Sequence, residues 1–343
     1  MEKITVIVPV YNVEKYLRGC LESIIHQTFY PYQVILVDDE STDNSGSICD
    51  EYAKKYKYVE VIHKKNEGLG LARNTGLDNA TGDYVVFIDS DDYADLTLLE
   101  NLIVARRKYG SDTCLGGYKR VDSKNQYVGE FPYDEVNYSG KQILQTLLPR
   151  MIGSSPESSD CIGMAAWNVL YSMEIINKHK IRFVSERILI SEDIIFNLKY
   201  YKYANNATLI KETNYNYRIN EGTLTTKYRS NRFKLIKILY TEEEKMLKEL
   251  GIYDTCKYRL MRQFFNYLRM CFAQESYEIS HKKTKDIIAS IAGICKDELV
   301  QAIISEYPQK CLNIKQRVFL MLVSRKCCIT LYTFIKFRVI AVS

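Results

Sequence analysis

Three carboxylates, Asp89, Asp91 and Asp92, surround one serine in the stretch Y-V-V-F-I-D-S-D-D-Y, which runs from Tyr84 to Tyr93. Acids this close together repel one another, and it is costly to hold them near a buried strand unless a cation neutralises them. Mg²⁺ takes one or two protein carboxylates and completes its shell with water and substrate phosphates. The stretch therefore indicates a site for a metal-bridged phosphate ligand. The alternative is that the acids only form the first turn of a helix around Leu96 to Arg106, where the helix dipole favours them.

The acids follow an apolar run that is typical of a strand buried on both faces of a parallel sheet. Loops and helical patterns separate it from three earlier runs, and the four predicted strands are Ile4–Val8, Val34–Val37, Val59–His63 and Tyr84–Ile88. This alternation predicts an α/β fold with a mostly parallel sheet and helices on both faces. Pro9 lacks an N–H, so we expect it to end the first strand. Ligands bind at the carboxyl ends of such strands, where the connecting loops meet.

Downstream of the acids the pattern is looser, and beyond about Tyr228 it is entirely helical. The predicted elements are a helix from Asp95, strands Thr113–Val121 and Tyr127–Phe131, a short helix from Ser139 through Leu148, a Ser- and Pro-rich loop Gly153–Asp160, a helix capped by Ser172 after the segment Ala165–Tyr171, a helix opened by Ser191-Glu192-Asp193, strand Ala207–Ile210, and a helix that stops at Gly251. We place a domain boundary near residue 225. This separates an α/β domain, 1–225, from a helical region, 226–343.

The composition of the 343 residues, 46% hydrophobic and 26% charged, is that of a globular protein. A net charge of +5 is mild and does not by itself argue for a nucleic-acid partner. The ten cysteines form no C-x-x-C pair and no His/Cys cluster, so we expect reduced thiols, no zinc site and a cytoplasmic location. The sequence shows no leader pattern and no apolar run near the roughly 18 residues that span a bilayer.

Polar side chains stand at the exits of all four predicted strands: Val10-Tyr11-Asn12, Asp38-Asp39, Lys65-Asn66 with Arg73, and Asp89-Ser90-Asp91. A tyrosine beside an acid suits a uracil base, because the ring stacks while the carboxylate accepts a ring N–H. Asn and Arg side chains suit diphosphate oxygens. Taken singly, Tyr11 is equally a packed turn aromatic, and Asp38 or Asp39 a helix cap. Their convergence favours a nucleotide site.

Glycine-rich phosphate loops are missing from the sequence. The first predicted strand is followed by Pro9-Val10-Tyr11-Asn12 and not by G-x-G-x-x-G, which argues against a dinucleotide-dependent dehydrogenase. No G-x-x-x-x-G-K-[ST] occurs, and Gly68-Leu69-Gly70 lacks a third glycine. A metal ion must therefore hold the phosphates.

Longer segments resemble the family 2 glycosyltransferases of the GT-A fold: I-T-V-I-V-P-V-Y-N-V-E-K-Y-L, V-I-L-V-D-D-E-S-T-D-N-S, N-E-G-L-G-L-A-R-N-T-G-L and G-D-Y-V-V-F-I-D-S-D-D. The later segments W-N-V-L-Y and S-E-D-I-I-F-N resemble the acceptor half of bacterial capsule and exopolysaccharide enzymes. The resemblance covers about residues 3–220. It implies a Rossmann-like nucleotide-diphospho-sugar transferase fold, with a nucleotide-sugar half at 1–110 and an acceptor half at 111–225.

The activity implied by this resemblance is inverting transfer of a hexosyl or N-acetylhexosaminyl group, with Mn²⁺ or Mg²⁺ as cofactor. The implied donor is a nucleotide-sugar, with UDP predicted from Tyr11 and Asp39. The implied roles are nucleotide-sugar binding by Pro9, Tyr11, Asp39, Asn66, Arg73, Asp89 and Ser90, metal binding by Asp91, acceptor binding by Trp167 and Glu192, and general-base catalysis by Asp193. Without the family match, Asp193 at a helix start would be only a favourable partner of the helix dipole. Glu40 departs from the family, which usually has glycine after the acid pair.

Two other classes remain open. A nucleotidyltransferase that makes sugar nucleotides uses a similar sheet, but it would need a glycine-rich basic loop after the first strand. A non-catalytic carbohydrate-binding derivative of the fold is the other, and the retention of Arg73, Asp91 and Asp193 argues against it.

The C-terminal residues 313–338 combine short apolar runs with basic residues. This composition suits helices that lie in the interface of an anionic membrane leaflet. The alternative is a helical cap that packs its apolar stripe on the catalytic domain. We therefore expect a cytoplasmic enzyme that is peripheral on the inner face of the plasma membrane. Its expected acceptor is a saccharide or an undecaprenyl-diphosphate-linked saccharide.

Overall fold

The computed structural model describes residues 2–220, 228–278 and 282–337. Contacts divide the chain into two units, Met1–Leu148 with Met164–Asn220, and Pro149–Gly163 with Glu221–Ser343. The boundary predicted near residue 225 lies outside the described residues. The segment 149–163, which sequence analysis assigns to the α/β domain, groups with the helical unit.

The described strands form two sheets. In chain order they are β1 (Ile4–Val10), β2 (Gln33–Asp38), β3 (Val59–His63), β4 (Tyr84–Phe87), β5 (Tyr93–Ala94), β6 (Thr113–Leu115), β7 (Tyr118–Val121), β8 (Tyr127–Phe131), β9 (Val136–Ser139), β10 (Val169–Ser172), β11 (Asn206–Leu209) and β12 (Tyr215–Arg218). The large sheet has the order β3-β2-β1-β4-β10-β6-β11-β9, and the small sheet β5-β12-β7-β8. The first four strands pair in parallel, whereas β10 runs antiparallel to both of its neighbours. A mixed α/β architecture with a parallel N-terminal half confirms the predicted fold class.

The helices, in chain order, are α1 (Glu14–Ile25), α2 (Ser45–Lys55), α3 (Leu69–Asn79), α4 (Leu98–Tyr109), α5 (Leu148–Ile152), α6 (Met173–Lys178), α7 (Glu192–Tyr201), α8 (Arg232–Glu249), α9 (Tyr253–Gln274), α10 (Thr284–Lys296), α11 (Glu298–Glu306), α12 (Ile314–Ser324) and α13 (Cys328–Lys336). A π-helical turn, Ile143–Leu147, leads into α5.

Helices cover both faces of the large sheet, as predicted. Alternate residues of β1, among them Val6 and Val8, belong to one core with α1, α2 and α4. Ile7 points the other way and lies against α3, where a Cβ on Gly76 would come within 2.4 Å of the Ile7 side chain. Glycine at this position lets α3 approach the strand closely. This close packing brings the carboxyl ends of the neighbouring strands near the N-terminus of α3.

The prediction that Pro9 ends the first strand is wrong, because β1 continues to Val10 and Pro9 pairs with Val37 of β2. The Val10 carbonyl accepts from Asp39 on β2's side, whereas the Ile7 carbonyl accepts from Ile88 on β4's side. Odd and even residues of β1 therefore face opposite neighbours. Pro9 faces the β4 side, where pairing has already stopped at Ile7, so its missing N–H breaks no ladder bond.

The predicted strand Thr113–Val121 is two strands in different sheets, β6 and β7. Gly116 and Gly117 separate them, and a Cβ on Gly117 would lie 2.5 Å from the Phe131 carbonyl oxygen. The Asn168 side-chain amide donates to the carbonyls of both glycines, at 2.8 and 2.7 Å. Asn168 has a φ of +59° immediately before β10, which begins at Val169.

The helical unit is built from amphipathic helices, as predicted. The first of them, α8, ends just before Gly251, whose φ of +69° is the left-handed conformation that glycine adopts without strain. The loop Gly153–Asp160 is held by Arg259, which donates to the Gly153 carbonyl and to both Asp160 carboxylate oxygens, at 3.0 and 2.8 Å. Among the helices described here, none is long and apolar enough to cross a bilayer. All ten cysteines lie within the described ranges, and all are free thiols.

Candidate active site

Arg73 on α3 joins acids from two distant parts of the chain. Its Nη1 donates to Glu192 at 2.6 Å and its Nη2 to Asp89 at 2.7 Å, and only 3% of its side chain is exposed. Burial lowers the pKa of Arg73, but the charges of Asp89 and Glu192 outweigh burial and raise the pKa above its usual range. Arg73 is therefore a fixed cation. The structure thus brings together three predicted site residues.

The Glu192-Asp193 pair opens α7, after Ser191 in the left-handed region at φ +61°. Burial raises the pKa of Glu192, and the neighbouring Arg73 opposes that shift. Burial and the charge of Glu192 raise the pKa of Asp193 to about 7, again against the pull of Arg73. A partly exposed carboxyl with a pKa near neutrality is suited to accept a proton.

Tyr215 and Arg218 of β12 bind the loop that follows β4. The Tyr215 hydroxyl accepts from the Asp89 N–H at 3.1 Å and donates to the Asp92 carboxylate at 2.8 Å. Asp92 also accepts from the Arg218 N–H at 2.7 Å and is only 1% exposed. Asp92 therefore anchors the loop. The alternative in which these acids form the first turn of the next helix is wrong, because β5 intervenes and α4 begins at Leu98.

Asp91, the predicted metal ligand, is partly exposed. Its carboxylate accepts from the Asn220 amide at 3.0 Å, and the Arg218 guanidinium holds its carbonyl at 2.7 Å. Burial and the charge of Asp89 raise the pKa of Asp91, so a cation at this place would relieve an unfavourable concentration of negative charge. Across the described ranges, no three His, Cys, Asp or Glu side chains gather into a complete metal site. The residues fit a divalent ion that takes one or two protein carboxylates and otherwise binds substrate phosphates.

Asp39, predicted to read the base, is 3% exposed and organises the loop that follows β3. Its carboxylate accepts from the Glu67 and Gly68 N–H groups at 3.1 and 2.8 Å, and from the Lys64 ammonium at 3.0 Å. Its own N–H donates to the Val10 carbonyl at 2.9 Å, which places it beside Tyr11. Tyr11 is 49% exposed, and Pro9, two positions before it, is buried in β1. An exposed ring beside an ordered loop is compatible with stacking on a base.

Glu40, which departs from the family's glycine, has a φ of +64°. This left-handed conformation is strained for any residue with a Cβ, which gives the family's preference a physical reason. Glu40 accepts from the Asn66 N–H at 3.1 Å, so its side chain ties the loop after β2 to the loop after β3. Asn66 in turn accepts from the Arg187 guanidinium.

Sequence analysis missed Glu186, which lies at the start of α3. Its carboxylate accepts from the Gly70 N–H at 3.2 Å, and Glu186 is buried. A Cβ on Gly68, whose φ is +101°, would come within 2.0 Å of a Glu186 oxygen. The segment Gly68-Leu69-Gly70, dismissed as a phosphate loop, accommodates this acid. The other missed residues are Arg187, Tyr215, Arg218 and Asn220, for which the sequence carries no motif that we recognised.

Trp167, predicted to bind the acceptor, lies in an aromatic cluster with two tyrosines of β12 and one of β7. Its ring stacks on Tyr215 at 4.5 Å and on Tyr217 at 5.7 Å, and Tyr118 meets it edge-on at 5.1 Å. Because Tyr215 also binds Asp89 and Asp92, Trp167 packs behind the loop of acids. Its ring is partly exposed, and the acceptor role stays a prediction.

Comparison with known proteins gives one family. The model of the glycosyl transferase family 2 matches residues 5–154. Glycosyltransferase GlyG of Streptococcus pneumoniae is 30% identical over 224 residues, which are 65% of this chain and 73% of GlyG. Glycosyltransferase GlyA of the same organism is 35% identical over 229 residues, which are 65% of this chain but only 32% of GlyA.

Two solved structures share the fold. The crystal structure of Staphylococcus aureus TarS 1–349 in complex with UDP-GlcNAc matches with a TM-score of 0.62 at 23% identity, and covers 98% of this chain and 91% of that one. TarS is a poly(ribitol-phosphate) beta-N-acetylglucosaminyltransferase, 30% identical over 222 residues, which are 63% of this chain and 35% of TarS. The mannosyltransferase PcManGT of Pyrobaculum calidifontis, in complex with GDP-Man and Mn²⁺, matches with a TM-score of 0.51 at 15% identity, and covers 98% and 87%.

Proposed function

Because the chain belongs to glycosyl transferase family 2, we propose that it transfers a sugar from a nucleotide-diphosphate donor to a hydroxyl group, with inversion at the anomeric carbon. One observation carries this proposal. Arg73 binds Asp89 of the donor-side loop and Glu192 of the Glu192-Asp193 pair. A donor held at Asp89 would therefore meet a base beside Glu192, which is the arrangement that a single displacement requires.

Asp193 is the proposed base. A sugar hydroxyl is a weak nucleophile, so a carboxylate within hydrogen-bond reach must take its proton as the glycosidic bond forms. The pKa of Asp193, raised to about 7, keeps the carboxylate basic enough for this step and still largely ionised just above neutrality. Glu192 binds Arg73, and its charge helps to raise the pKa of Asp193, so Glu192 positions the proposed base.

Asp91 is the proposed metal ligand, with Asp89 beside it. Asp91 would hold Mn²⁺ or Mg²⁺, which would supply Lewis-acid stabilisation of the diphosphate leaving group. The solved complex of PcManGT with Mn²⁺ supports a divalent ion on this fold. Arg218 and Asn220 orient Asp91 through its carbonyl and its carboxylate.

The proposed donor is a UDP-sugar, bound by Pro9, Tyr11, Asp39, Asn66, Arg73, Asp89 and Ser90. The complex of TarS with UDP-GlcNAc supports this choice. In our proposal Tyr11 stacks on the base and the loop that Asp39 organises closes around it. Asp39 is already bonded to Lys64, Glu67 and Gly68, so it acts on the base largely through that loop.

The proposed acceptor is a saccharide, free or linked to undecaprenyl diphosphate, in surface polysaccharide synthesis. Trp167 and Glu192 would face it. The polyol-phosphate acceptor in the name of TarS supports a cell-surface polymer as the destination. The proposed location is the cytoplasm, with the enzyme peripheral on the inner face of the plasma membrane.

A donor panel tests the proposal. The full chain is incubated with Mn²⁺ and UDP-GlcNAc, UDP-glucose, UDP-galactose or GDP-mannose, and nucleotide release is followed with and without saccharide acceptors. We expect UDP release from at least one UDP-sugar, and loss of that turnover in Asp193→Asn. Binding of UDP without turnover of any donor would indicate a non-catalytic derivative. Release of pyrophosphate from UTP and a sugar phosphate would indicate a nucleotidyltransferase.

A further inference from the structure

Helix α12 exposes an apolar stripe. Ile314, Val318 and Met321 are 74%, 37% and 39% exposed, and their spacing of four and three residues places them on one face of the helix. The rest of the apolar set, Phe319, Leu320, Leu322 and Val323, is buried. This buried side packs within the helical unit, where the Phe319 ring meets the Phe272 ring of α9 edge-on at 5.3 Å. The outward side of α12 carries large apolar groups that the folded unit does not use.

Basic residues frame this stripe. Lys315 and Arg317 lie on its two sides along the helix, and Arg325 and Lys326 follow at its end, all of them exposed. From Tyr307 onwards the sequence contains seven lysines and arginines and no aspartate or glutamate. The whole segment is therefore cationic.

The next helix repeats the pattern. On α13, Leu331 and Ile335 are buried, whereas Ile329 is 72% exposed. Lys336, at the end of the helix, and Phe337, which follows it and is 70% exposed, add a basic and an apolar group. We name Ile314, Val318 and Met321 of α12, with the basic residues Lys315, Arg317, Arg325 and Lys326, the tail face.

We propose that the tail face binds the surface of an anionic lipid bilayer, inserting its apolar groups between head groups. Apolar side chains flanked by lysine and arginine match that interface, since the acyl boundary takes the former and lipid phosphates the latter. A second copy of the chain is a poor occupant, because two faces of the same strong charge would repel each other. This inference rests on the peripheral membrane location proposed above, for which it names the surface. Binding by this surface is independent of the transfer reaction, because it needs no donor.

Sedimentation with vesicles tests the proposal. Full-length protein is mixed with vesicles of phosphatidylglycerol and phosphatidylcholine, or of phosphatidylcholine alone, at low and at physiological salt. We expect the protein to pellet with the anionic vesicles, and less so as salt screens the charges. Protein that stays in the supernatant with anionic vesicles at low salt overturns the proposal.

Variants locate the surface. Ile314→Ser/Val318→Ser/Met321→Ser should lose most vesicle binding, whereas Leu96→Ser/Val104→Ser/Val128→Ser, which removes equally exposed apolar groups, should lose none. Lys315→Gln/Arg325→Gln should weaken binding by about fivefold per removed charge and reduce its salt dependence. Equal binding by the first triple variant and wild type overturns the assignment to this face.

Two further readouts keep the result clear. The unfolding temperature and the UDP affinity of the tail-face variants should equal those of the wild type, which shows that the variants are folded. Vesicle binding is measured without donor, so its result does not depend on whether the proposed transferase activity is found. Light scattering tests the competing occupant. A wild-type dimer that the triple variant of α12 converts to monomer would show that a second copy, and not lipid, covers the stripe, and would overturn the proposal.

Discussion

Arg73 and Glu192 are separated by 119 positions in the sequence, and their side chains form a 2.6 Å hydrogen bond inside the protein. Burying either charge without a partner would cost several kcal/mol of folding free energy, to about the extent known for other buried ions. Together with Asp89 they form a buried array in which one cation serves two carboxylates. This array defines the distance between the donor-side loop and the proposed base.

Arg73→Met should lower the free energy of unfolding by about 3–5 kcal/mol, because Glu192 is left buried without its cation. Arg73→Met/Glu192→Met should recover part of that loss, since apolar groups tolerate burial. Arg182→Met is the matched control, because Arg182 pairs with Asp78 at the exposed end of the same helix. That surface pair should contribute under about 1 kcal/mol. Urea unfolding measures all three, and equal losses for Arg73→Met and Arg182→Met would contradict a buried array.

The turnover number should depend on pH through Asp193. Its pKa is raised to about 7, so kcat should fall as the pH drops below that value and the base becomes protonated. The charge of Glu192 helps to raise this pKa. Glu192→Gln should therefore move the acid limb of the kcat profile to lower pH, whatever its effect on the maximal rate. Steady-state kinetics from pH 5 to 9 decides this, and an acid limb that stays in place would assign the titration to another group.

Asp91→Asn should raise the Mn²⁺ concentration needed for half-maximal activity and leave the unfolding temperature nearly unchanged. Asp92→Asn should instead lower stability, because Asp92 is buried and accepts from the Tyr215 hydroxyl and the Arg218 N–H. It should cost about 1–3 kcal/mol of stability, the usual penalty for damaging a buried hydrogen-bonded group. Wild-type activity should disappear in excess chelator and return with Mn²⁺. Full activity in chelator would refute a metal-dependent reaction.

Tyr11→Ala should weaken UDP binding by about tenfold or more, the usual effect of removing an aromatic ring that stacks on a base. Tyr30→Ala removes a ring that is 74% exposed and precedes β2, whereas Asp39 follows that strand at its other end, so this change should have no effect. Calorimetry with UDP and GDP also tests base selection. Equal affinity of the wild type for both nucleotides would show that Tyr11 and the Asp39 loop do not read the base.

Glu40→Gly should give a more stable protein than Glu40→Ala. Both changes remove the carboxylate that accepts from Asn66, but only alanine keeps a Cβ at φ +64°. The difference should be about 1 kcal/mol in favour of glycine, the cost of a left-handed residue with a side chain. Thermal unfolding of the pair isolates the strain, and equal stability would show that the loop relaxes around alanine.

Local sequence patterns determined most of the secondary structure and several of the candidate site residues. Apolar runs and helical spacing located the first four strands and most helices, because burial imposes its period on the sequence. Motif resemblance then named the acids at the strand exits, and Arg73, Asp89 and Glu192 do meet in the structure. Glu40 stood out in the sequence because the family usually has glycine at this position. Its left-handed backbone conformation explains why the family prefers glycine there.

Tertiary structure alone decided the rest, because the deciding contacts join residues far apart in the chain. The local sequence does not show that Pro9 faces β4 beyond the point where the two strands stop pairing. It also does not show that the chain passes from one sheet to the other at Gly116 and Gly117. Glu186 became visible only where it meets Gly70, 116 positions away. The different environments of Asp91 and Asp92 likewise depend on β12, because its Tyr215 binds Asp92 from 123 positions away.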